Sequence, residues 1–266
     1  MHTARRLLAT TLLAFVSFTV SAGPSTPADR PSPRGDENSR RAHLELLEKK
    51  KQGQVDLYFV GDSITRRWGT ADAKYARLLA NWRKNFYGWN AADFGWGGDT
   101  TQNILWRLEE GELDGVNPKV IVIMAGTNNV GSRTPTEDDV RVAEITRGIQ
   151  AIVALCREKA PRAKIILMGI TPRNDNIAVM PIINRINENL AQLAPRGRYR
   201  YLDINDRLAD ADGKLRAGMT DPDQLHLSEQ AYQIWADALT PILTEYLGPR
   251  ASTDRAPPPT SDPSSR

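Results

Sequence analysis

The chain has 266 residues, 40% of them hydrophobic and 25% charged, a composition that suits one globular domain with a sizeable core. Its formal net charge is +3, and 35 Lys and Arg less Arg5 and Arg6, which lie in a leader-like segment, leaves 33 against 32 Asp and Glu. Both signs are interspersed, which argues against nucleic acid or an anionic membrane as partner; one cysteine excludes an internal disulfide, and three unclustered histidines argue against a metal site.

Residues 1–22 combine Arg5-Arg6, an apolar run from Leu7 to Val20 and the small-residue site Val20-Ser21-Ala22. The pattern predicts a cleaved signal peptide and a periplasmic or secreted protein. The run is short for a membrane span and Gly23-Pro24 follows it, so no stable membrane insertion is expected. Residues 23–38 are rich in Pro, Ser and charge and read as a flexible linker. Residues 248–266, with Pro257-Pro258-Pro259, read as a disordered tail. The folded body is then 39–247. It opens with an amphipathic helix that places His43 at the surface.

Within the body, short β-branched runs alternate with helical patterns. Strands are predicted at 55–60, 91–94, 120–124, 164–170 and 199–204. Helices are predicted at 100–110, at 136–159 with Thr136 as cap, at 181–193 and at 228–247. Cys156 falls among Ile152, Val153 and Leu155 and reads as a buried apolar residue. Repeated β-α-β with continuously apolar strands predicts an α/β fold, a parallel sheet covered by helices on both faces. Sites in such sheets form at the carboxyl ends of strands.

Three of those ends carry small or hydrogen-bonding residues: Gly61-Asp62-Ser63, Gly95-Trp96-Gly97-Gly98-Asp99 and Ala125-Gly126-Thr127-Asn128-Asn129. A serine hydroxyl is a weak nucleophile and needs a base. Past the leader only His43 and His226 remain, and Asp223 stands three residues before His226. An acid at that spacing can fold back onto Nδ1 and leave Nε2 for the serine proton. The alternative for His226 is a capping or packing role. An oxyanion needs donors as well, and the candidates are the N–H of Ser63, the N–H of Gly98 and the side-chain amide of Asn128. Trp96 and Asp62 are assigned to the substrate side of the site. Trp96 reads as core, pocket wall or sugar-stacking face, and Asp62 as orienting the nucleophile turn.

These blocks resemble the SGNH (GDSL) hydrolases, named for Ser, Gly, Asn and His in four segments. Here they stand in order as Gly61-Asp62-Ser63-Ile64, Gly95 to Gly98, Gly126-Thr127-Asn128 and Asp223 with His226. The stretches Gly97-Gly98-Asp99-Thr100-Thr101, Leu105-Trp106-Arg107-Leu108 and Gly126-Thr127-Asn128-Asn129 are most similar to the branch of platelet-activating-factor acetylhydrolase catalytic subunits. Ile64 and Trp96 depart from the usual Leu and smaller apolar residue. The resemblance implies a flavodoxin-like three-layer α/β/α sandwich on five parallel strands, no metal or organic cofactor, and pairing into a homodimer as in that branch. It implies a serine esterase, with Ser63, His226 and Asp223 catalytic, acting on short acyl esters of carbohydrate. A lipid or lysophospholipid esterase and a cell-envelope O-acetyl transfer or binding module are the alternatives.

Overall fold

Every residue of the run Val120–Met124 is buried, as a strand covered on both faces requires. The structure, a computed structural model, describes residues 26–131 and 137–265. The signal-peptide segment and Thr136 lie outside the described residues.

The elements follow in the order α1 (Glu37–Lys49), β1 (Leu57–Gly61), α2 (Ser63–Gly69), α3 (Ala76–Phe86), β2 (Ala91–Asp93), α4 (Thr101–Arg107), β3 (Val120–Met124), α5 (Thr127–Val130), α6 (Asp138–Lys159), β4 (Lys164–Met168), α7 (Met180–Gly197), β5 (Arg200–Leu202), α8 (Asn205–Leu208) and α9 (Glu229–Leu247). The strands form one parallel sheet in the order β2-β1-β3-β4-β5. Alternation along β1 and β3 divides two cores. Tyr58, Val60, Ile121 and Ile123 face one core, which α4, α6 and α7 complete with Ile104, Ile149 and Ile183. Leu57, Phe59, Val120 and Val122 face the other, completed by α2, α3 and α9. There Phe59, Trp68, Trp82, Phe86 and Trp235 make edge and tilted ring contacts. The expected α/β/α sandwich is the fold observed. From β1 the chain steps outward to β2, then crosses to β3 on the other side. The switch point between β1 and β3 is where ligands bind in such sheets, and Ser63 begins the helix that leaves it.

Two segments differ from their compositional reading. The 26–38 stretch, expected to be a flexible linker, lies along α4: the N–H of Ser32 donates to Gln102 O, Asn103 Nδ2 to Ser32 O and Thr101 Oγ1 to the O of buried Ala28. The 248–265 stretch, expected to be disordered, runs back over the edge strand β2. Arg255 O accepts from Gln54 N, Thr260 O from Ala71 N, and Asp262 from Asn38 Nδ2. Pro257, Pro258 and Pro259 line a cavity of about 290 Å³ with Trp82 and Phe86. Proline has little backbone entropy left to lose, so a Pro-rich chain orders at small cost once its carbonyls find donors.

Candidate active site

Asp62 is the N-cap of α2 and accepts the N–H of Ile64 at 2.9 Å. Its carboxyl is fully buried, and burial pushes it up to about 7. The cap starts a helix at Ser63, so the Ser63 N–H is one of the first-turn donors that no helical carbonyl satisfies. Tyr232 Oη donates to Ile64 O at 2.5 Å and fixes this turn against α9. Ser63 Oγ then lies 2.8 Å from His226 Nε2, and His226 Nδ1 lies 2.7 Å from Asp223 Oδ2.

His226 sits on a loop closed by the antiparallel bridge Thr220–Leu227, with Asp221 N and Thr220 Oγ1 both donating to His226 O. Burial would raise the Asp223 carboxyl. The N–H groups of His226 and Leu225 and the imidazole overcome that and hold it down at about 2. Burial, helped by the positive charge of Arg67, pulls His226 below its usual 6.5. An anionic acid, a neutral base and a hydroxyl are thus aligned at one edge of the sheet.

The loop after β2 approaches from the side. A Cβ at Gly95 would come within 2.7 Å of Arg66 N and 2.9 Å of Asp62 O, so only glycine lets this loop lie on the Ser63 turn. Gly98 is exposed and has φ +78°, a left-handed conformation that favours glycine. Its N–H donates to no backbone carbonyl among the described residues. Asn128, on α5, donates one amide hydrogen to Asp99 O at 2.8 Å, which holds the carboxamide beside this loop and leaves its second hydrogen for a ligand. Ser63, Gly98 and Asn128 therefore stand at neighbouring strand ends, as their places in the sequence imply.

Beneath this surface runs a buried charge network. Arg107 Nε donates to Asp99 Oδ2 at 2.7 Å, Nη1 to Phe94 O at 3.0 Å and to Glu112 Oε2, and Nη2 to Gly61 O at 3.3 Å. One guanidinium thus ties the Ser63 turn to the Gly98 loop. Burial lifts the Asp99 carboxyl to about 6 even with Arg107 beside it. His43 joins the network through Glu112 at 2.8 Å. Its expected surface position is corrected: it is 5% exposed, because α1 turns that face against Trp106 and Glu112. At the rim, Arg34 donates to Gly97 O at 3.0 Å.

Two residues assigned to the substrate side lie elsewhere. Trp96 is 6% exposed; its indole N–H donates to Ser39 Oγ at 2.9 Å and the Arg66 guanidinium stacks 4.7 Å from its ring centre. It anchors the loop to α1 instead of facing a ligand. Asp62 orients the nucleophile turn as read, but has no exposed surface to offer a substrate. Cys156 is buried, with its thiol pushed up to about 12 by desolvation. No group of three or more His, Cys, Asp and Glu suited to a metal ion, and no helix long and apolar enough to cross a membrane, occurs among the described residues. Arg34 and Arg67 are missing from the sequence reading, and Arg107 stands there only within a family stretch, with no role given to it. For Arg67 a signal existed, since i and i+4 place it on the Ser63 face of α2.

Known proteins share both chain and architecture. Residues 59–234 match the GDSL-like lipase/acylhydrolase family. The chain is similar to platelet-activating factor acetylhydrolase IB subunit alpha1 of Bos taurus, 32% identical over 85% of this chain and 93% of that protein. Subunit alpha2 of Rattus norvegicus is 33% identical over 74% and 81%. Among solved structures, a GDSL-like lipase of Bacteroides thetaiotaomicron superposes with a TM-score of 0.59 at 19% identity, over 77% of this chain and 97% of that one. A mutant of an acetyl-xylooligosaccharide esterase from Geobacillus Stearmophilus does so with 0.54 at 19% identity, over 76% and 98%. With the family match spanning the nucleophile turn, both following strand ends and most of the sheet, the chain belongs to the GDSL-like lipase/acylhydrolase family and is an ester hydrolase.

Proposed function

We propose that this chain is an exported esterase that removes short acyl groups, acetyl above all, from carbohydrate through an acyl-enzyme on Ser63. The observation that carries the mechanism is the continuous relay from Ser63 Oγ through His226 to Asp223, 2.8 and 2.7 Å long. Ser63 Oγ attacks the ester carbonyl while His226 Nε2 takes its proton. Asp223 stabilises the imidazolium. The N–H groups of Ser63 and Gly98 and the Asn128 amide receive the oxyanion. The imidazolium returns its proton to the leaving alcohol, and water, activated by the same nitrogen, releases the acid and frees Ser63.

The short-acyl reading is supported by the open site. Ser63 and Asn128 are half-buried and Gly98 is exposed, so the nucleophile and its oxyanion donors face solvent. A long acyl chain needs an apolar channel beside the nucleophile; an acetyl group does not. Export favours an extracellular or periplasmic polymer, and the fold is shared with an esterase of acetylated xylooligosaccharides. A lipid reading is favoured by the names of the curated relatives, which are platelet-activating factor acetylhydrolases.

Rates on acetylated polysaccharides and on acetylated phospholipid, with a p-nitrophenyl series from acetate to long chains, separate the two. The expected result is fastest turnover on acetate and on polysaccharide. A preference for long chains or for phospholipid overturns the carbohydrate assignment. Asn128→Ala is expected to lower kcat about a hundred- to a thousandfold with the fold intact; near-native turnover removes Asn128 from the oxyanion site. The pH profile has a definite sign. The base must be neutral, and burial and Arg67 hold His226 below 6.5, so kcat/KM should fall only on the acid side of that value. An acid limb centred above it contradicts the geometry.

A further inference from the structure

We propose that Arg67 is a positioning residue of the reaction: from the Ser63 face of α2 it clamps the Asp223 loop and so holds nucleophile and base in register. The inference rests on the Ser63–His226–Asp223 reading above.

The coupling problem is real for this fold. Ser63 stands on α2 and His226 on a loop 163 residues away, and the two elements meet only through side chains and packing at the sheet edge. Arg67 Nη1 donates to Asp221 Oδ2 at 3.1 Å and to Asp223 Oδ2 at 3.2 Å. The carboxylate that accepts the hydrogen bond of His226 Nδ1 is therefore gripped by the helix that carries the nucleophile. The clamp is itself held: the guanidinium lies 5.1 Å from the centre of the Tyr75 ring, and its side chain is only 18% exposed. Asp223 is 41% exposed, so its place depends on such ties more than a core residue would. All its lone-pair directions are then used, by the N–H groups of His226 and Leu225 on one oxygen and by the imidazole and Arg67 on the other.

The charge acts along with the contact. Asp223 and Asp221 from its own loop and Arg67 from α2 face the imidazole. The loop after β4 touches Gln224 through Asn174 and Asp175, and its Arg173 and Asp175 are paired with each other. Asp62 lies below Ser63 with its carboxyl pushed towards the neutral form. Arg67 is the cation that opposes protonation of His226, and Asp221 is an anion that favours it. Removing one or the other should therefore move the acid limb of activity in opposite directions.

The test is a set of pH–rate profiles on p-nitrophenyl acetate for the full chain carrying R67M, R67K or D221N, with S63A as control. In R67M, kcat is expected to fall about tenfold with KM little changed, and the acid limb of kcat/KM to move to higher pH. R67K is expected to rescue both, because a single nitrogen of Arg67 serves both carboxylates and an ammonium can replace it. In D221N the acid limb is expected to move to lower pH. The proposal is overturned if R67M keeps native kcat and a native acid limb. It is equally overturned if R67M and R67K lose activity alike with unmoved limbs, the mark of a merely structural role. Should R67M fail to fold, D221N decides: an unmoved or raised limb there overturns the proposal. Activity surviving in S63A would instead defeat the underlying mechanism, a separate outcome that these profiles do not mimic.

Discussion

Replacing Ser63 with Ala is expected to lower ester hydrolysis by about a millionfold while the melting temperature stays near that of the native protein. The structural cost is small because, among the described residues, the one side-chain hydrogen-bond partner of Ser63 Oγ is His226 Nε2, and the site is partly open to water. The cap of α2 survives, since it comes from Asp62 and not from the serine. Alanine is at least as good a helix former at that first position. Catalysis, in contrast, loses the atom that forms the acyl-enzyme, and the remaining donors can only polarise a carbonyl awaiting water. Ser63→Ala combined with His226→Ala should be no worse than either alone, because both act in one proton-coupled step. Residual turnover within about a hundredfold of native would identify another nucleophile. A burst of p-nitrophenol, one per active site in the native chain and absent in the variant, measures the same point directly.

The second large effect is on stability. Arg107→Met is expected to cost about 3–5 kcal/mol and to lower the melting temperature on the order of 10 °C. Arg107 is 3% exposed, and its partners Asp99 and Glu112 are fully buried. The methionine fills comparable space, but it removes the cation that lies between the Asp99 and Glu112 carboxylates, leaving Asp99 with Arg34 at 3.6 Å and Glu112 with His43, and it strips the carbonyl of Phe94 of its side-chain donor while Gly61 O keeps only the N–H of Trp96. The penalty comes from those groups left short of partners more than from the lost pair. It also depends on pH. The folded Asp99 carboxyl stands near 6 with Arg107 present, against 3.8 unperturbed, so the folded state holds its proton more firmly than the unfolded state. Loss of Arg107 widens that difference. Stability then falls as pH rises through the window between the two values, and the deficit of the variant should be smaller at pH 5 than at pH 8. Thermal melts at the two pH values check both size and sign; equal melting temperatures for native and variant at pH 8 would mean that the network is dispensable. A weaker loss is expected for Arg107→Lys, which keeps the charge but cannot reach four acceptors at once.

The comparison of reading and structure turns on the range over which residues act. Val120–Met124 was legible to the residue because its burial on both faces needs an unbroken apolar run, a property of five adjacent residues. Strand β5 shrank to Arg200–Leu202 because Asp203 begins a turn, its carboxylate accepting the N–H of Asn205. Helix α3 was not foreseen. Ala76–Phe86 mixes polar and apolar residues, and Leu78, Trp82 and Phe86, four positions apart, mark the face it buries. The linker and tail were misread for a related reason. Their composition lowers the hydrophobic gain of folding, but Ser32, Arg255 and Thr260 gain backbone partners that composition cannot show.

Within the site, the four blocks were legible because each is local. A strand end, a tight turn and a polar residue suffice to mark Ser63, Gly98, Asn128 and the Asp223–His226 pair. Those blocks and the succession of strands along the chain were determined by the sequence itself, since backbone sterics, capping by Asp62 and the three-residue spacing of acid and base act within a few residues. The tertiary structure alone decided the rest. It buried His43 against Glu112, turned Trp96 inward onto Ser39, and joined Arg107 to Asp99, Phe94 and Gly61. It also brought Arg67 to Asp223 across 156 positions. Charge pairs at such separations leave no periodicity in a chain, because a buried ion is specified by whichever partner the packing of distant elements brings within about 3 Å, and not by its neighbours in sequence.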